Sequence, residues 1–369
     1  MIQGDRGRWP GAKGQAGATS QPSRWESGPM SVDLGHAIAT EANGLPEAAE
    51  YFPLTQGRYE VKPGMLPLGT NFGNGEADQK VFQIDKYFFH YRQMKELARQ
   101  EDLSKYYQTY QYSSAVAIAI AEFIIKRLIQ EYPQHIQLTK TSNGSIQLKN
   151  DLTQETLYFD RDYCLQRVEP RIDSNSTPYV STLDALAMQV QEDLVVLSRR
   201  DLQHWMSAIH LCFPNHWAAA TKIGQDFATV HGPVAGMAAM NRRGAAIAQT
   251  MITRSPTVRF AWGLSTDCRL NHHPVPPPGI DVAQWQGRQF NPAQPRLFLR
   301  VERQVIWGLP AVDAALFTIR TYFQDCEAIK PDPHRRSRLV AAIESMSPEA
   351  LAYKGLSQTK AAILQWLQA

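Results

Sequence analysis

The chain has 369 residues, of which 43% are hydrophobic and 20% charged, so it can bury a core and is neither disordered as a whole nor fibrous. Its 38 Lys and Arg residues exceed its 35 Asp and Glu residues only slightly, which leaves a net charge of +3. That charge is too small to predict a nucleic-acid partner, which would require a strongly basic face.

Composition divides the chain into three parts. Residues 1–29 are rich in Gly, Gln, Arg and Ser and lack the apolar core of a signal peptide. A second methionine, Met30, stands where the composition becomes ordinary. We therefore expect a disordered or mis-assigned tail over residues 1–45, one catalytic domain over residues 46–345, and C-terminal helices over residues 346–369 that pack on the same domain.

Neither the apolar runs nor the cysteines indicate a membrane protein or an exported one. The longest apolar run covers residues 115–121 and continues over 123–125, which is well short of the ~20 residues of a membrane-spanning helix. The four cysteines are far apart and form no C-x-x-C pair, which argues against a zinc or iron–sulfur site. We expect reduced thiols in a cytoplasmic protein without a membrane partner.

The first half of the chain predicts an irregular segment followed by two helices. Residues 45–75 are rich in Pro and Gly and are expected to wrap over a surface without regular structure. Helices are predicted over residues 82–100 and 113–131. The second helix has Ser113 or Ser114 as its N-cap and is followed by Pro133.

A small antiparallel sheet and a third helix are predicted next. Asn143-Gly144 is a strong hairpin signal, so residues 136–159 are expected to contain two or three strands. A helix is then predicted to open at Ser181 or Thr182, because apolar residues recur at steps of three and four. These residues are Leu183, Leu186, Val190, Leu194 and Leu197.

Residues 298–307 and 315–323 predict a β-hairpin, because polar and apolar residues alternate in both runs. A loop centred on Ala311 would place cross-strand pairs on one polar face of the sheet. These pairs are Gln304 with Thr318, Glu302 with Arg320, and Arg300 with Tyr322. Two readings stay open: a solvated face with a weak ion pair, or the polar wall of a ligand pocket.

The same hairpin is where the sequence resembles a known family, the haem-dependent oxidative N-demethylases. The resemblance rests on LFLRVERQVIWGLP (297–310) and ALFTIRTYF (315–323), together with QEDLVVLS (191–198), CFPNHWAAATKIGQDFATVHGPVAGM (212–237) and VRFAWGL (258–264). It implies an α+β fold, with a PAS-like antiparallel sheet flanked by helices that holds haem b and its iron. It also implies oxidation of a small secondary amine such as dimethylamine, with release of formaldehyde.

A haem requires an axial ligand, and histidine is the usual one. His231 precedes Gly232-Pro233 after what reads as an apolar strand, so a rigid turn would hold its ring in place. It also matches the histidine-any-proline motif that the resemblance implies. His210 and His216 are the competing candidates, whereas His272 and His273 precede a proline-rich stretch and are expected in a surface loop.

The charges of the cofactor and of the substrate predict further site residues. Haem propionates require cations, for which Arg300, Arg320 and Arg303 are the candidates, with Arg259 as an alternative to Arg303. A protonated amine requires a carboxylate or an aromatic face. Glu302, Tyr322 and Trp262 offer these groups.

The sequence lacks a G-x-G-x-x-G fingerprint, a P-loop and a ferredoxin cysteine set, so electrons are expected from a separate NAD(P)H-dependent flavin and iron–sulfur reductase. The predicted activity is that of a haem-dependent oxidoreductase. Because a fold by itself does not determine function, the alternatives are a PAS-like haem sensor or a haem-binding protein without turnover, and a haem-free relative.

Overall fold

The computed structural model describes residues 44–61, 64–141, 144–170 and 177–369. Apart from residues 44 and 45, the tail expected over residues 1–45 lies outside these described residues. Within them, helices and two antiparallel sheets occur together, with runs of consecutive strands and runs of consecutive helices, which confirms the α+β class.

The strands of the described residues form two sheets. The strands are β1 (Leu66–Pro67), β2 (Tyr107–Thr109), β3 (Ile136–Lys140), β4 (Ile146–Asn150), β5 (Glu155–Phe159), β6 (Leu165–Glu169), β7 (Asp193–Arg200), β8 (Gln203–His210), β9 (Thr257–Ser265), β10 (Phe298–Leu309) and β11 (Ala314–Asp325). The main sheet has the order β1-β9-β10-β11-β7-β8-β2, and the smaller sheet has the order β3-β4-β5-β6. Neighbouring strands are antiparallel throughout both sheets.

Helices cover both faces of the main sheet. They are α1 (Phe88–Tyr106), α2 (Ser114–Glu131), α3 (Thr182–Ala187), α4 (Phe227–His231), α5 (Ala238–Asn241), α6 (Gly244–Thr253), α7 (Val282–Gln286), α8 (Cys326–Ile329), α9 (Pro333–Glu344), α10 (Pro348–Lys354) and α11 (Lys360–Gln368). Short 3-10 turns occur at Gly75–Gln79, Ala219–Thr221 and Pro310–Val312.

Each face of the main sheet has its own set of neighbours. We call one the core face: its side chains, such as Val196 and Val305, pack with α2, α3 and the smaller sheet. The opposite face, which we call the cavity face, carries Val195 and Ala315 and packs against α6. The C-terminal helices α9–α11 pack against Leu297, Leu299 and Val301 at one end of β10.

The predicted helix over residues 113–131 is confirmed, and its cap explains where it begins. The Ser113 hydroxyl accepts a hydrogen bond from the backbone N–H of Val116 at 3.4 Å, which satisfies one of the unpaired donors of the first turn. The antiparallel strands expected within residues 136–159 are also confirmed as β3, β4 and β5.

The helix predicted over residues 82–100 begins later, at Phe88. The preceding backbone N–H groups bind distant side chains and are therefore not available to a helical turn. Gln83 N–H donates to Glu192 at 2.7 Å, and Asp85 N–H donates to Gln191 at 2.8 Å.

The helix predicted to run from Ser181 through Leu197 ends at Ala187 and is followed by β7. A buried ammonium explains the change, because Lys95 Nζ donates to the carbonyls of Ala187, Val190 and Glu192 at 2.8, 2.9 and 2.5 Å. Strand β7 is buried on both faces from residue 193 to 198, so its apolar run lacks the alternation that identifies a strand.

The predicted β10–β11 hairpin is confirmed, but its predicted register is wrong by one residue. The loop covers residues 310–313, so Glu302 pairs with Thr321, Gln304 with Ile319, and Arg303 with Arg320. Such a slip moves a whole set of side chains to the other face. Glu302 and Gln304 therefore lie on the cavity face, whereas Arg320 and Tyr322 lie on the core face.

Within the part of the chain that the structure describes, no helix is both long enough and apolar enough to cross a membrane.

Gly308 of β10 allows α6 to approach the sheet. A Cβ atom at this position would lie 2.0 Å from the carbonyl oxygen of Ile252. Helix α6 supplies Ile247 and Met251 to the wall of a cavity above the sheet, so the glycine fixes the position of that wall.

We expect Gly308→Ala to destabilise the protein by about 1–3 kcal/mol or more, because backbone must move to admit the methyl group. Urea denaturation would measure the change. Gly263→Ala in β9 is the matched control, since its Cβ would meet nothing closer than 3.9 Å. Equal stability of the two variants would contradict the close approach of α6.

Candidate functional site

A cavity of about 1140 Å³ lies between the cavity face and the segment that contains α4–α6. Its volume is slightly above the range of about 300–1,000 Å³ for sites that enclose a drug-sized ligand. The cavity face of the sheet contributes both polar and apolar side chains to the lining. They are Val195, Leu197, Met206, Ile209, Arg259, Ala261, Glu302, Gln304, Ile306, Phe317 and Ile319. Leu66, Phe260 and Trp262 of β1 and β9 complete the sheet's part of the lining.

His231 lies in the wall of this cavity at the end of α4. The approach to it is helical, where the sequence predicted a strand, because the Asp226 side chain caps α4 by accepting from Thr229 N–H at 2.8 Å. The ring packs on Phe227 with a centroid distance of 4.1 Å. The helix end and this packing hold the imidazole in one orientation.

The protonation of His231 leaves a lone pair on one ring nitrogen. Burial lowers the pKa of His231 to about 4 despite its hydrogen bond to the chain, so the ring is neutral at pH 7. Nδ1–H donates to the carbonyl of Phe227 at 2.8 Å, which places the lone pair on Nε2. A backbone bond of this kind orients histidine ligands in metal sites.

His216 also lines the cavity. Burial and the charge of Arg288 lower its pKa to about 2. Its ring stacks on His272 at a centroid distance of 5.4 Å, and His272 Nε2–H donates to Asp267 at 2.8 Å.

The surface loop predicted for His272 and His273 is wrong, since their side chains are buried. Asp267 binds the His272 ring, and the indole N–H of Trp285 donates to the carbonyl of His273 at 2.7 Å.

His210 lies on the core side of the sheet and is fully buried. Its Nε2–H donates to Asp184 at 3.1 Å, and its Nδ1 lies 3.9 Å from the Cys212 sulfur. Although this resembles a nucleophile arrangement, burial raises the pKa of the Cys212 thiol well above its usual value. The group is therefore structural, and it supplies neither a thiolate nor a cavity ligand.

Glu302 lies at the floor of the cavity and is 8% exposed. Its Oε2 accepts from Gln304 Nε2 at 3.0 Å, and its Oε1 lies 3.7 Å from Arg300 Nε. The charge of Glu302 also acts on Arg259 and on Lys354, so both cations lie close to it. The carboxylate is thus surrounded by positive charge.

Arg259 is a cation of the cavity face that has no hydrogen-bonded acceptor among the described residues. Its Nε is buried without a hydrogen-bond partner among the described residues. Burial lowers the pKa of Arg259, and the charge of Glu302 partly opposes that effect. A buried guanidinium without a bonded acceptor is costly, and a carboxylate from a bound molecule would satisfy it.

The three arginines predicted to bind the cofactor donate hydrogen bonds to acceptors within the protein, and they do not line the cavity. Arg300 Nη1 and Nη2 donate to the carbonyls of Leu270 and Phe213 at 2.9 and 2.7 Å. Arg303 Nη2 donates to the carbonyl of Lys80 at 2.8 Å. Arg320 Nη2 pairs with Asp85 at 2.7 Å.

Of the two aromatic residues predicted to contact the amine, one lines the cavity and the other does not. Tyr322 lies on the core face, where its hydroxyl donates to Gln83. Trp262 lines one side of the cavity and packs edge-on against Tyr59 at 5.8 Å. The structure therefore brings His231, Glu302 and Trp262 to the cavity and places Tyr322 elsewhere.

Sequence reasoning missed Lys354, a lysine at the end of α10 that lines the cavity. Its Nζ donates to the carbonyl of Trp262 at 2.6 Å. Burial lowers the pKa of Lys354 to about 8, while the charge of Glu302 opposes this shift. The sequence around it predicts an ordinary helix, and no local signal distinguishes this lysine from a solvated one.

Across the described ranges, no three His, Cys, Asp or Glu side chains are grouped to hold a bare metal ion. A histidine in the wall of a large cavity, as His231 and His216 both are, suits a metal that is held within a macrocycle. A family model described as haem-dependent oxidative N-demethylase, alpha subunit-like, matches residues 74–364. The matched residues include His231, Arg259, Glu302 and Lys354.

The arginines on the two faces should respond differently to removal. We expect Arg320→Met to destabilise the protein by about 3–5 kcal/mol, since it strands the buried carboxylate of Asp85. Arg259→Met should change the stability by less than ~1 kcal/mol, because it breaks no hydrogen bond to a described residue. Urea denaturation of both variants measures the contrast, and equal losses would contradict it.

Proposed function

The chain belongs to the family of haem-dependent oxidative N-demethylase alpha-subunit-like proteins, and we propose that it binds haem b and demethylates a small secondary amine such as dimethylamine. The observation that carries the proposal is the neutral imidazole of His231, which lines a cavity of about 1140 Å³ and whose Nε2 bonds to no described residue. The cavity is large enough for a cofactor and a small substrate together.

The residues present suit the cofactor. His231 Nε2 would be the axial ligand, because Nδ1 is already committed to the carbonyl of Phe227. Arg259, with its unpartnered Nε, would bind a propionate. Bound haem iron would supply the site at which O2 is reduced and an N-methyl carbon is oxidised.

Apolar side chains of the cavity wall would keep water from the reacting methyl group. Val195, Leu197, Ile306 and Phe317 line the sheet side, and Met251 lines the α6 side. Exclusion of water strengthens the electrostatic interactions that remain in the site and limits side reactions.

Glu302 would hold the amine. A secondary amine arrives protonated at pH 7, and the Glu302 carboxylate at the cavity floor can accept a hydrogen bond from its ammonium group. The Gln304 amide holds one carboxylate oxygen at 3.0 Å, which fixes the direction of the other. Trp262 alternates with Ala261 along β9, so it leaves the strand on the side opposite Glu302 and contributes to the edge of the cavity.

The overall reaction requires electrons from outside the chain. Dimethylamine, O2, two electrons and two protons balance methylamine, formaldehyde and water. Because the sequence contains no dinucleotide fingerprint or ferredoxin cysteine set, we propose a separate NAD(P)H-dependent flavin and iron–sulfur reductase as the electron source. The alpha-subunit-like description of the family favours such a partner.

His231→Ala should abolish haem binding or lower haem occupancy at least about tenfold, because a coordinate bond to Nε2 is lost. The Soret absorption of the purified variant, normalised to protein, measures this occupancy. His334→Ala, at the exposed start of α9, is the control and should retain the wild-type spectrum.

His216→Ala tests the competing ligand on the same cavity. Loss of the Soret band in His216→Ala together with an unchanged spectrum in His231→Ala would show that the ligand assignment is wrong. Absence of haem from the wild-type protein, after expression with ample haem, would contradict the proposed cofactor.

The isolated chain supplied with dimethylamine, O2 and NADPH should release no formaldehyde, and a chemical reductant or a flavin and iron–sulfur reductase should restore its release. Formaldehyde assay and oxygen consumption measure this turnover. Demethylation by the isolated chain with NADPH would contradict the need for a partner.

Glu302→Gln should reduce turnover at least about tenfold while leaving the Soret spectrum in place, because it removes the charge that binds the ammonium. Haem binding without turnover in the wild-type protein, with several small amines and a competent reductant, would instead favour the sensor.

A further inference from the structure

A second group of polar side chains faces the cavity along strands β9 and β10. Arg259, Ala261 and Gly263 of β9 pair with Gln304, Glu302 and Arg300 of β10 and share the cavity face. At ~3.3 Å per residue, Gly263 lies ~13 Å along the strand from Arg259. Glu302 lies halfway between the two ends.

Two hydrogen-bond donors meet above Gly263. Asn215 Nδ2 and Lys354 Nζ each lie 3.9 Å from the point that a Cβ atom on Gly263 would occupy. Both residues line the cavity. The position of the missing side chain is therefore flanked by an amide donor and an ammonium group, and a methyl group placed there would be in ordinary contact with both.

The described part of the protein does not provide an acceptor for every N–H of these two donors. Among the described residues, the ammonium of Lys354 has one hydrogen-bond acceptor, the carbonyl of Trp262 at 2.6 Å, although Nζ carries three donors. The side-chain amide of Asn215 bonds to no described residue. Glu302 does not supply the missing acceptor, since its close contacts are with Gln304 and Arg300.

The local charge favours an anion. Lys354 is influenced by Arg288 as well as by Glu302, and the Nε of Arg288 is buried without a partner among the described residues. Arg300 also stands close to Glu302. Glu302 thus lies near the cations Lys354 and Arg300, and a bound anion would give Lys354 a further acceptor.

We propose that Lys354 Nζ and Asn215 Nδ2 form a carboxylate-binding subsite over Gly263. Two oxygens of one carboxylate can accept from the two donors, and a charge-assisted bond of this kind is strong. The carboxylate has two possible sources, a haem propionate or the carboxylate of a zwitterionic N-methyl amino acid whose ammonium group binds Glu302. In the second case the inference rests on the proposed function and narrows its substrate class.

The test compares Lys354→Met and Gly263→Ala with the wild-type protein and with the control Lys360→Met. Lys360 is a lysine of α11 that donates to the carbonyl of Glu344 and does not line the cavity. Gly263→Ala keeps all charges and places a methyl group beside both donors. Thermal unfolding verifies that each variant is folded.

Two affinities are measured in the full-length protein: that for haem, by Soret titration, and that for N-methylglycine and dimethylamine, by calorimetry. These amines differ by a carboxylate. If the substrate supplies it, Lys354→Met and Gly263→Ala weaken N-methylglycine binding about tenfold or more and leave dimethylamine binding within about twofold. If haem supplies it, the same variants weaken haem binding by a similar factor.

Either result supports the subsite and identifies its source. Haem and N-methylglycine affinities that stay within about twofold of those of Lys360→Met would overturn it. Wild-type protein that takes up no haem but binds N-methylglycine through Lys354 would refute the proposed function and keep the subsite. If the wild-type protein takes up haem and turns over normally, but Lys354→Met changes neither the haem affinity nor the N-methylglycine affinity, the subsite alone is refuted.

Discussion

The register of β10 against its two neighbours determines which groups reach the cavity. Glu302 pairs with Ala261 on one side and Thr321 on the other, and Gln304 pairs with Arg259 and Ile319. Directly paired residues of antiparallel strands point to the same face, so one register collects a carboxylate, an amide and a guanidinium over the same patch of sheet. A shift of one residue would exchange this set for the residues of the core face.

The two faces treat charge differently. On the core face, Arg320 pairs with Asp85, and Arg303 binds the carbonyl of Lys80, so these cations stabilise the loops packed around them. On the cavity face, Arg259 makes no hydrogen bond to a described residue, and Lys354 Nζ makes one. The Nε atoms of Arg303 and Arg320 are also buried without a described partner, so the two faces differ in whether the rest of the guanidinium is bonded. A bound anion would offset the cost of about 1–3 kcal/mol that an unsatisfied buried donor carries, and this difference supports the proposed site.

Local signals predicted several elements well, and distant contacts explain the failures. The Ser113 cap and the apolar run after it act within one helix, so α2 was predictable. The end of α3 depends on Lys95, which lies about ninety positions earlier in the chain and binds the carbonyls that follow this helix. In the same way, the side chains of Glu192 and Gln191 decide where α1 begins. No pattern within a short window reports such bonds.

For the site, the sequence by itself determined the family resemblance, the hairpin and the choice of His231, because these depend on residue types and short spacings. It assigned Glu302 and Trp262 to the substrate, and the structure brings both to the cavity. Tertiary structure alone decided that Tyr322, Arg300, Arg303 and Arg320 lie elsewhere, and that Lys354 joins Asn215 over Gly263. The reason is geometric: alternation along a strand shows which residues share a face, but the register and the packing of distant helices decide what that face meets.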